Sequence, residues 1–568
     1  MRFYSFLFSH KPDEIHLARL PLIIIFSLYW LIVMHLPWPN SGDYGMNLPM
    51  NLLSWGIILL LGLIVWLFLR AKTVRITTTG LLMLVSAVLF TIPALWSSHD
   101  ALPIALPRLV SIWGGFFTYL TLLQHPLHEK ETVALFYLLA AAAIIECMLS
   151  LGGFYCPQYL PYPLDSLAEK YSGYAPGIFQ QLNVTASFIA TGLATLLYLL
   201  ADMRRVLYQS RAERVRFMVI GVAIILMTAT LVLFHSRIGW IGGIAAISCA
   251  SVLFGHPRFR HRTTRFRRML ILVLPLLGGL FGTQMLKQSV IGSLLHESSN
   301  QQRWLTVEYT LRMIGLHPWQ GWGLGMFEAA FQRFMAAVPG GNPSREMMQH
   351  PHNETLFIWA EGGVLALAGG VALLLGWVVL CRRRKNLWQW AALLTTLPIL
   401  LHTQVEFPLY YSVAHFVALL LLMAASEGNA PALTLRSTLF RLPLAAFALY
   451  GIVLSFQLFF ASITLGNFET ARLADPHSII RLNVPWLMQM RYQRDITLLH
   501  LANFNESGDV AELERFAFNN AQWITLHMEE DAYSDQINVL YFLQRREEAG
   551  KLKKEAHRLM PWDERFNP

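Results

Sequence analysis

Residues 217–254 read FMVIGVAIILMTATLVLFHSRIGWIGGIAAISCASVLF. Two apolar runs, 217–234 and 238–254, are separated only by His235, Ser236 and Arg237. A helix needs ~20 mostly apolar residues to cross a hydrocarbon core about 30 Å thick. Each run comes close to that length, and three polar residues leave room for a turn and little else. The stretch therefore reads as a membrane hairpin. The pattern recurs along the 568 residues, with apolar runs at about 20–36, 51–69, 80–95, 104–123, 134–154, 177–200, 269–284, 356–380, 387–401, 410–425 and 442–463. With the hairpin this makes thirteen candidate spans.

Composition agrees. Hydrophobic residues make up 55% of the chain and charged residues 14%, and mean hydropathy is +0.44. Soluble domains carry about 25% charged residues, so a soluble multidomain enzyme is excluded. So is a disordered chain, which needs low hydrophobicity and high charge. The expected fold is all-α, a polytopic transmembrane helical bundle. The first 19 residues are polar, and the run after them ends in HLPW without a small-residue cleavage site, so it is expected to stay as an anchor. Cys147, Cys156, Cys249 and Cys381 are too scattered for a disulfide framework or a metal site.

The +9 net charge is first a topology signal, because Lys and Arg gather on the cytoplasmic side of spans. With the N-terminus cytoplasmic, the inner segments hold 24 Lys and Arg, while the short outer loops hold Lys170 and Arg237. Thirteen spans then place the C-terminus in the periplasm. Two outer regions are large, the loop 285–355 and the tail 464–568. The chain accordingly divides into a transmembrane domain, 1–463, and a periplasmic helical C-terminal domain, 464–568. The basic loop FRHRTTRFRR reads as a positive-inside signal on anionic lipid rather than a nucleic-acid site, and no nucleic acid is expected as a partner.

Against that orientation, several arginines stand where basic residues are otherwise scarce. They are Arg108 near the outer end of the fourth span, Arg237 in the hairpin turn, and Arg303 and Arg312 in the large loop. Guanidinium binds phosphate bidentately and keeps its charge. An anion at the outer headgroup level would account for them; pairing with a local carboxylate such as Glu308 is the alternative. Gln180, Gln181 and Asn183 in GIFQQLN can donate to phosphate or sugar oxygens, or to neighbouring helices. In QHPHNETLFIWAEGG, His350 and His352 precede a span and Asn353, Glu354 and Glu361 follow. A metal site lacks a convincing ligand set there, whereas an imidazole can take a proton from a hydroxyl at neutral pH. In HTQVEFPLYY, His402, Glu406, Tyr410 and Tyr411 can share one cavity, or the tyrosines can anchor at the interface. HPWQGWGLG, residues 317–325, lacks the strand and Lys-Ser/Thr of a phosphate loop. It reads as a tight turn in which Gly321, Gly323 and Gly325 permit close backbone approach.

SRIGW, RW…HPWQGWGLGMF and HPHNETL…EGG together resemble the O-antigen ligase/polymerase superfamily of the Wzy-C type, over about 175–425. GIFQQLN, HTQVEFPLYY and the helical outer tail are similar to its protein-glycosylating branch, the PglL-type bacterial O-oligosaccharyltransferases. QQLN departs from that branch, where two asparagines follow the glutamines. The resemblance implies an inner-membrane glycosyltransferase. It would move a glycan from undecaprenyl pyrophosphate to a Ser or Thr hydroxyl of an exported protein such as a pilin. It also implies His352 as the base, supported by His350, Asn353, Glu354 and Glu361. Arg237, Arg303, Arg108, Gln180 and Gln181 would bind the donor pyrophosphate. Tyr410, Tyr411 and Glu406 would contact acceptor or lipid. No metal or other cofactor is implied. A lipopolysaccharide O-antigen ligase or polymerase, or more distantly a lipid-linked oligosaccharide transporter, are the alternatives.

Overall fold

The computed structural model describes residues 20–38, 44–69, 72–166, 177–203, 210–285, 297–471, 473 and 475–567. Arg2, Lys11, Arg19, Arg70, Lys170, Arg204 and Arg205, which entered the charge count, lie outside them. The first half is a bundle of α1 (Leu20–Leu31), α2 (Pro49–Phe68), α3 (Thr78–Thr91), α4 (Leu102–Leu123), α5 (Glu129–Tyr155), α6 (Leu182–Ala201), α7 (Ser210–Leu233), α8 (Arg237–Gly255) and α9 (Arg265–Met285). The outer loop holds α10 (Glu297–Leu316) and α11 (Phe327–Ala336). Next come α12 (Glu354–Arg383), α13 (Leu387–Leu394), α14 (Leu397–His402), α15 (Pro408–Tyr411), α16 (Val413–Glu427) and α17 (Arg441–Thr470). The tail is α18 (Pro476–Ile480), α19 (Gln489–Ser507), α20 (Val510–Trp523), α21 (Glu530–Phe542) and α22 (Arg546–Leu559). Among the described residues ten helices are long and apolar enough to cross a membrane. Three shorter apolar segments, Leu22–His35, Leu387–His402 and Val413–Glu427, stand at the other three expected positions.

α6 is the axis of the bundle. Every residue from Val184 to Ala201 is buried, and α5, α7, α8, α9 and α14 all pack on it. Its many small residues (Ala186, Ser187, Ala190, Thr191, Gly192, Ala194, Thr195) let five neighbours approach, the usual way helices associate where lipid is as apolar as the core. The expected α7–α8 hairpin forms, with Ser236 capping α8 by accepting the Gly239 N–H (3.1 Å) and the Trp240 indole bonding Leu231 O (2.8 Å).

One feature departs from an all-helical reading. Residues Thr73–Thr77 (β1) pair antiparallel with Ala432–Arg436 (β2), Thr73 opposite Arg436 and Thr77 opposite Ala432. TVRIT and ALTLR are rich in β-branched and alternating residues, but the strands are too short and too far apart in the chain to be paired from sequence. The ribbon places two basic segments side by side, so the chain between them crosses the membrane an even number of times. Nearby, Arg384 meets Glu427 (3.7 Å), which also accepts from Thr77 (2.7 Å). From Arg384 the chain runs through α13 and α14 to Glu406, which lies beside Asn183 and Arg303, and returns through α16 to Glu427. The two short apolar segments thus make one out-and-back excursion.

The tail is not freestanding. α19 to α22 pack in sequence as antiparallel neighbours, and α11 of the loop shares their core, Ala329 clustering with Ile524, Met528, Ala532 and Tyr533. Arg491 grips Glu469 at the end of α17 through two 2.7 Å bonds and reaches Asn47 O at 3.1 Å.

Candidate active site

The start of α12 hangs on the α14–α16 turn. Asn353 caps the helix by accepting the Leu356 N–H (2.9 Å), and its amide donates to Gln404 O (3.0 Å). The Glu354 N–H reaches Thr403 O (3.0 Å). Just before the cap, His352 takes a left-handed backbone conformation, φ 55°, which costs a non-glycine residue about 1–2 kcal/mol. In return its N–H bonds His350 Nδ1 at 2.9 Å. That bond makes His350 Nδ1 an acceptor. The His350 ring is clamped between Phe357 and Phe407, at 4.5 and 4.6 Å. Burial, with His352 and Arg108 nearby, pushes the His350 imidazole well below its usual pKa. Burial and then Arg303 lower that of His352, while Glu406 pulls it back up. Both rings are therefore neutral at pH 7, the form a base requires.

Glu406 is the hub of the adjoining layer. It accepts from Asn183 (2.6 Å), Gln181 (3.1 Å), His402 (3.2 Å) and Arg303 (3.4 Å). Burial works against the charge, yet the His402 bond, Arg303 and Asn183 hold its carboxyl below the usual carboxylate range. Behind it a chain of buried groups continues inward. His402 Nδ1 meets Ser187 Oγ (2.8 Å), which meets His415 Nε2 (3.0 Å), whose Nδ1 meets Ser412 (2.9 Å). Asn183 Oδ1 also accepts from Ser236 (2.7 Å), the residue before Arg237.

On the other side of His350, Arg108 from α4 pairs with Glu361 of α12 and lies over the Phe357 ring, 4.3 Å from its centre. The 317–325 turn fixes this pair. Its Trp322 and Gly323 N–H groups bond the carbonyls of Ala360 and Glu361 (2.8 and 2.9 Å), and Trp319 O accepts from Val364 (3.1 Å). The contact breaks α12 at Gly363, φ 64°, where a Cβ would come within 2.2 Å of Trp319 O. Gly321 faces the same constraint, its Cβ falling 2.4 Å from Glu361 O.

Arg108, Glu361, His350 and His352 line a cavity of about 1300 Å³ whose lining residues fall into three sets. One is apolar and runs down between the helices past Phe90, Phe116, Leu374, Trp377 and Met423. The waist holds Arg108, His350, His352, Glu354, Glu361 and Tyr410. The far end is walled by tail residues, including Arg494, Trp523, His527 and Glu529.

Of the residues singled out from sequence, His352, His350, Glu354, Glu361, Arg108 and Tyr410 thus meet in one cavity. Arg303, Gln181 and Glu406 form the layer beside it. Glu406 is occupied by protein donors instead of lining the cavity. Asn353 serves as a helix cap, and Arg237 begins α8 at the edge of the Glu406 network. Gln180 does not join it: its backbone is left-handed (φ 55°) and its amide donates to Trp38 O (2.5 Å). Tyr411 packs into the bundle and its carbonyl accepts from Asn51 (2.8 Å). Arg312 pairs with Glu308 on the surface (2.6 Å). Sequence reading missed Ser187, His415 and the tail residues. A His and a Ser within apolar runs were the available signal for the first two; the tail residues carried none.

Among the described residues no three His, Cys, Asp or Glu side chains gather as a metal ion would need. Residues 222–371 match the family described as O-antigen ligase, and residues 390–562 match the one described as virulence factor membrane-bound polymerase, C-terminal. No curated protein matches the chain. The first match contains Arg237, Arg303, His352 and Glu361, and the second contains Glu406 and most of the tail. With a helical membrane bundle around these residues, the chain belongs to the O-antigen ligase superfamily of membrane glycosyl-transfer enzymes.

Proposed function

We propose that the protein transfers a glycan from undecaprenyl pyrophosphate to Ser or Thr hydroxyls of exported proteins at the periplasmic face of the bacterial inner membrane. The observation that carries this reading is the three-zone cavity. Its apolar zone suits a polyprenyl chain, its waist suits the pyrophosphate and first sugar, and its tail-walled end suits a polypeptide acceptor. The acceptor oxygen attacks the anomeric carbon while the bond from that carbon to the phosphate oxygen breaks. His352 takes the hydroxyl proton, and the pyrophosphate leaves with the bonding pair. Its charge is met by Arg303, released from Glu406, together with Arg237 and Arg108. In this reading guanidinium supplies the charge stabilisation and no divalent ion is needed. The pyrophosphate linkage carries the energy, so no nucleotide is needed either.

The matched families, described as a ligase and a polymerase, favour a second reading in which the acceptor is a sugar hydroxyl. Mass spectrometry of exported proteins from strains with and without the gene separates the two. Glycopeptides present only with the gene support protein transfer. Unchanged proteins with altered lipopolysaccharide would establish the second reading instead.

A further inference from the structure

α10 exposes a row of large apolar side chains on the outer face of the bundle. Trp304 is 71% exposed, Leu311 48% and Leu316 60%, with Trp319 at 73% directly after the helix. The opposite face of α10, at Gln302, Thr306, Thr310, Met313 and Ile314, is buried against the protein. Among the described residues, the ion pair on the exposed side, Arg312 with Glu308, cancels its own charge. A patch of this kind in water marks a surface made for something apolar.

The position of α10 identifies what covers it. Its N-terminal part is tied by Arg303 to Glu406, at the outward extreme of the α14–α16 excursion. Its C-terminal end leads into the turn that grips α12 at Gly363. From Gly363 to the basic end of α12 at Arg383 is about 30 Å of helix, one hydrocarbon thickness. Both ends of α10 therefore sit where the spans emerge, and the helix lies along the membrane surface. The patch is also continuous with a lipid-facing stripe. α3 exposes Leu81, Val85 and Val88, and beyond its end come Leu95 (84% exposed) and Trp96. The Trp96 indole bonds Gln320 O at 3.1 Å, next to Trp319.

We propose that α10 is an interfacial helix, with Trp304, Leu311, Leu316 and Trp319 set into the outer headgroup and upper acyl layer of the membrane that holds the bundle. Tryptophan at headgroup level and an apolar face on a helix lying in the plane are the features that stabilise such a position. The arrangement holds Arg303, the residue before Trp304, at the depth where a lipid-linked pyrophosphate would travel. It does not depend on which acceptor the enzyme uses.

The test places a benzophenone amino acid at Trp304 or Leu311 in the full-length protein, reconstituted in vesicles of phosphatidylethanolamine and phosphatidylglycerol. Phe518, exposed on α20 of the tail, is the control position. After illumination, mass spectrometry should find phospholipid adducts at 304 and 311 and at least tenfold fewer at 518. Adducts to a second protein chain, adducts to neither, or equal lipid labelling at 518 would each overturn the proposal.

Discussion

His352 pays for a left-handed backbone with a bond to His350, and the result is an imidazole held at the cavity wall between an arginine and a carboxylate. The pH dependence follows from that setting. Burial and Arg303 lower its pKa below the usual 6.5, so the neutral form predominates at pH 7 and is lost as the pH falls through the depressed value. Transfer should rise with pH along a single acid limb whose midpoint lies below 6.5, and stay level above it. Neutralising Arg303 should move that midpoint up; neutralising Glu406 should move it down. His352→Ala should cut transfer by about 10²–10⁴-fold, the usual contribution of a base, with donor binding kept. Activity that instead falls as the pH rises would make the protonated ring a phosphate ligand. Arg303→Lys keeps the charge but loses the planar fork; it should lower transfer by at least about tenfold at normal protein levels, and near-normal rates would rule out bidentate binding. Arg108 and Arg303 were legible in sequence because basic residues are scarce in the loops expected on the outer side, and His350 and His352 because they come just before a span; the same signal also picked out Arg312, which pairs with Glu308 on the surface. The Glu406 network was only partly so, because its donors Gln181, Asn183 and Arg303 come from distant parts of the chain.

At the scale of elements, the least legible feature is the break in α12. The run 356–380 reads as one apolar span, and nothing in its periodicity marks Gly363. The break exists because the 317–325 turn, whose glycines did signal close approach, inserts its backbone against the helix. Gly363→Ala should therefore be severe. Its backbone, φ 64° and ψ −158°, lies in a region essentially restricted to glycine and costs an alanine about 1–3 kcal/mol, and the methyl meets the backbone of Trp319 and Gln320, which has no side-chain freedom to yield. We expect a lower unfolding temperature and loss of transfer, since Glu361 is held by the same grip. Gly315→Ala is the matching control. A Cβ there meets nothing within 4 Å, and alanine gains up to ~1 kcal/mol of helix propensity. A Gly363→Ala protein as stable and active as the Gly315→Ala protein would contradict this account of the break.

Over the whole molecule, three contacts restrict the topology more tightly than the charge count does. The β1–β2 ribbon and the Arg384–Glu427 pair bring three basic segments to one end of the bundle. Arg491 holds the tail to Glu469 and Asn47 at the other end, where α11 and the cavity lie. α17, with 30 residues, is long enough to link the two ends. The spans were legible because lipid demands long apolar runs. The charge count already put tail and loop on one side; their shared core was not legible, because it rests on packing between residues as distant as Ala329 and Met528. The geometry demands that Arg384 and Arg436 share one compartment and that Gly340 and the end of α22 share the other; the positive-inside rule leads us to expect the first to be the cytoplasm. Reporter fusions at Arg384 and Arg436 should read cytoplasmic, and fusions near Gly340 and after Arg558 periplasmic. A cytoplasmic signal after Arg558 combined with a periplasmic one at Gly340 would separate α11 from the helices it packs on, and with them the far wall of the cavity from its waist.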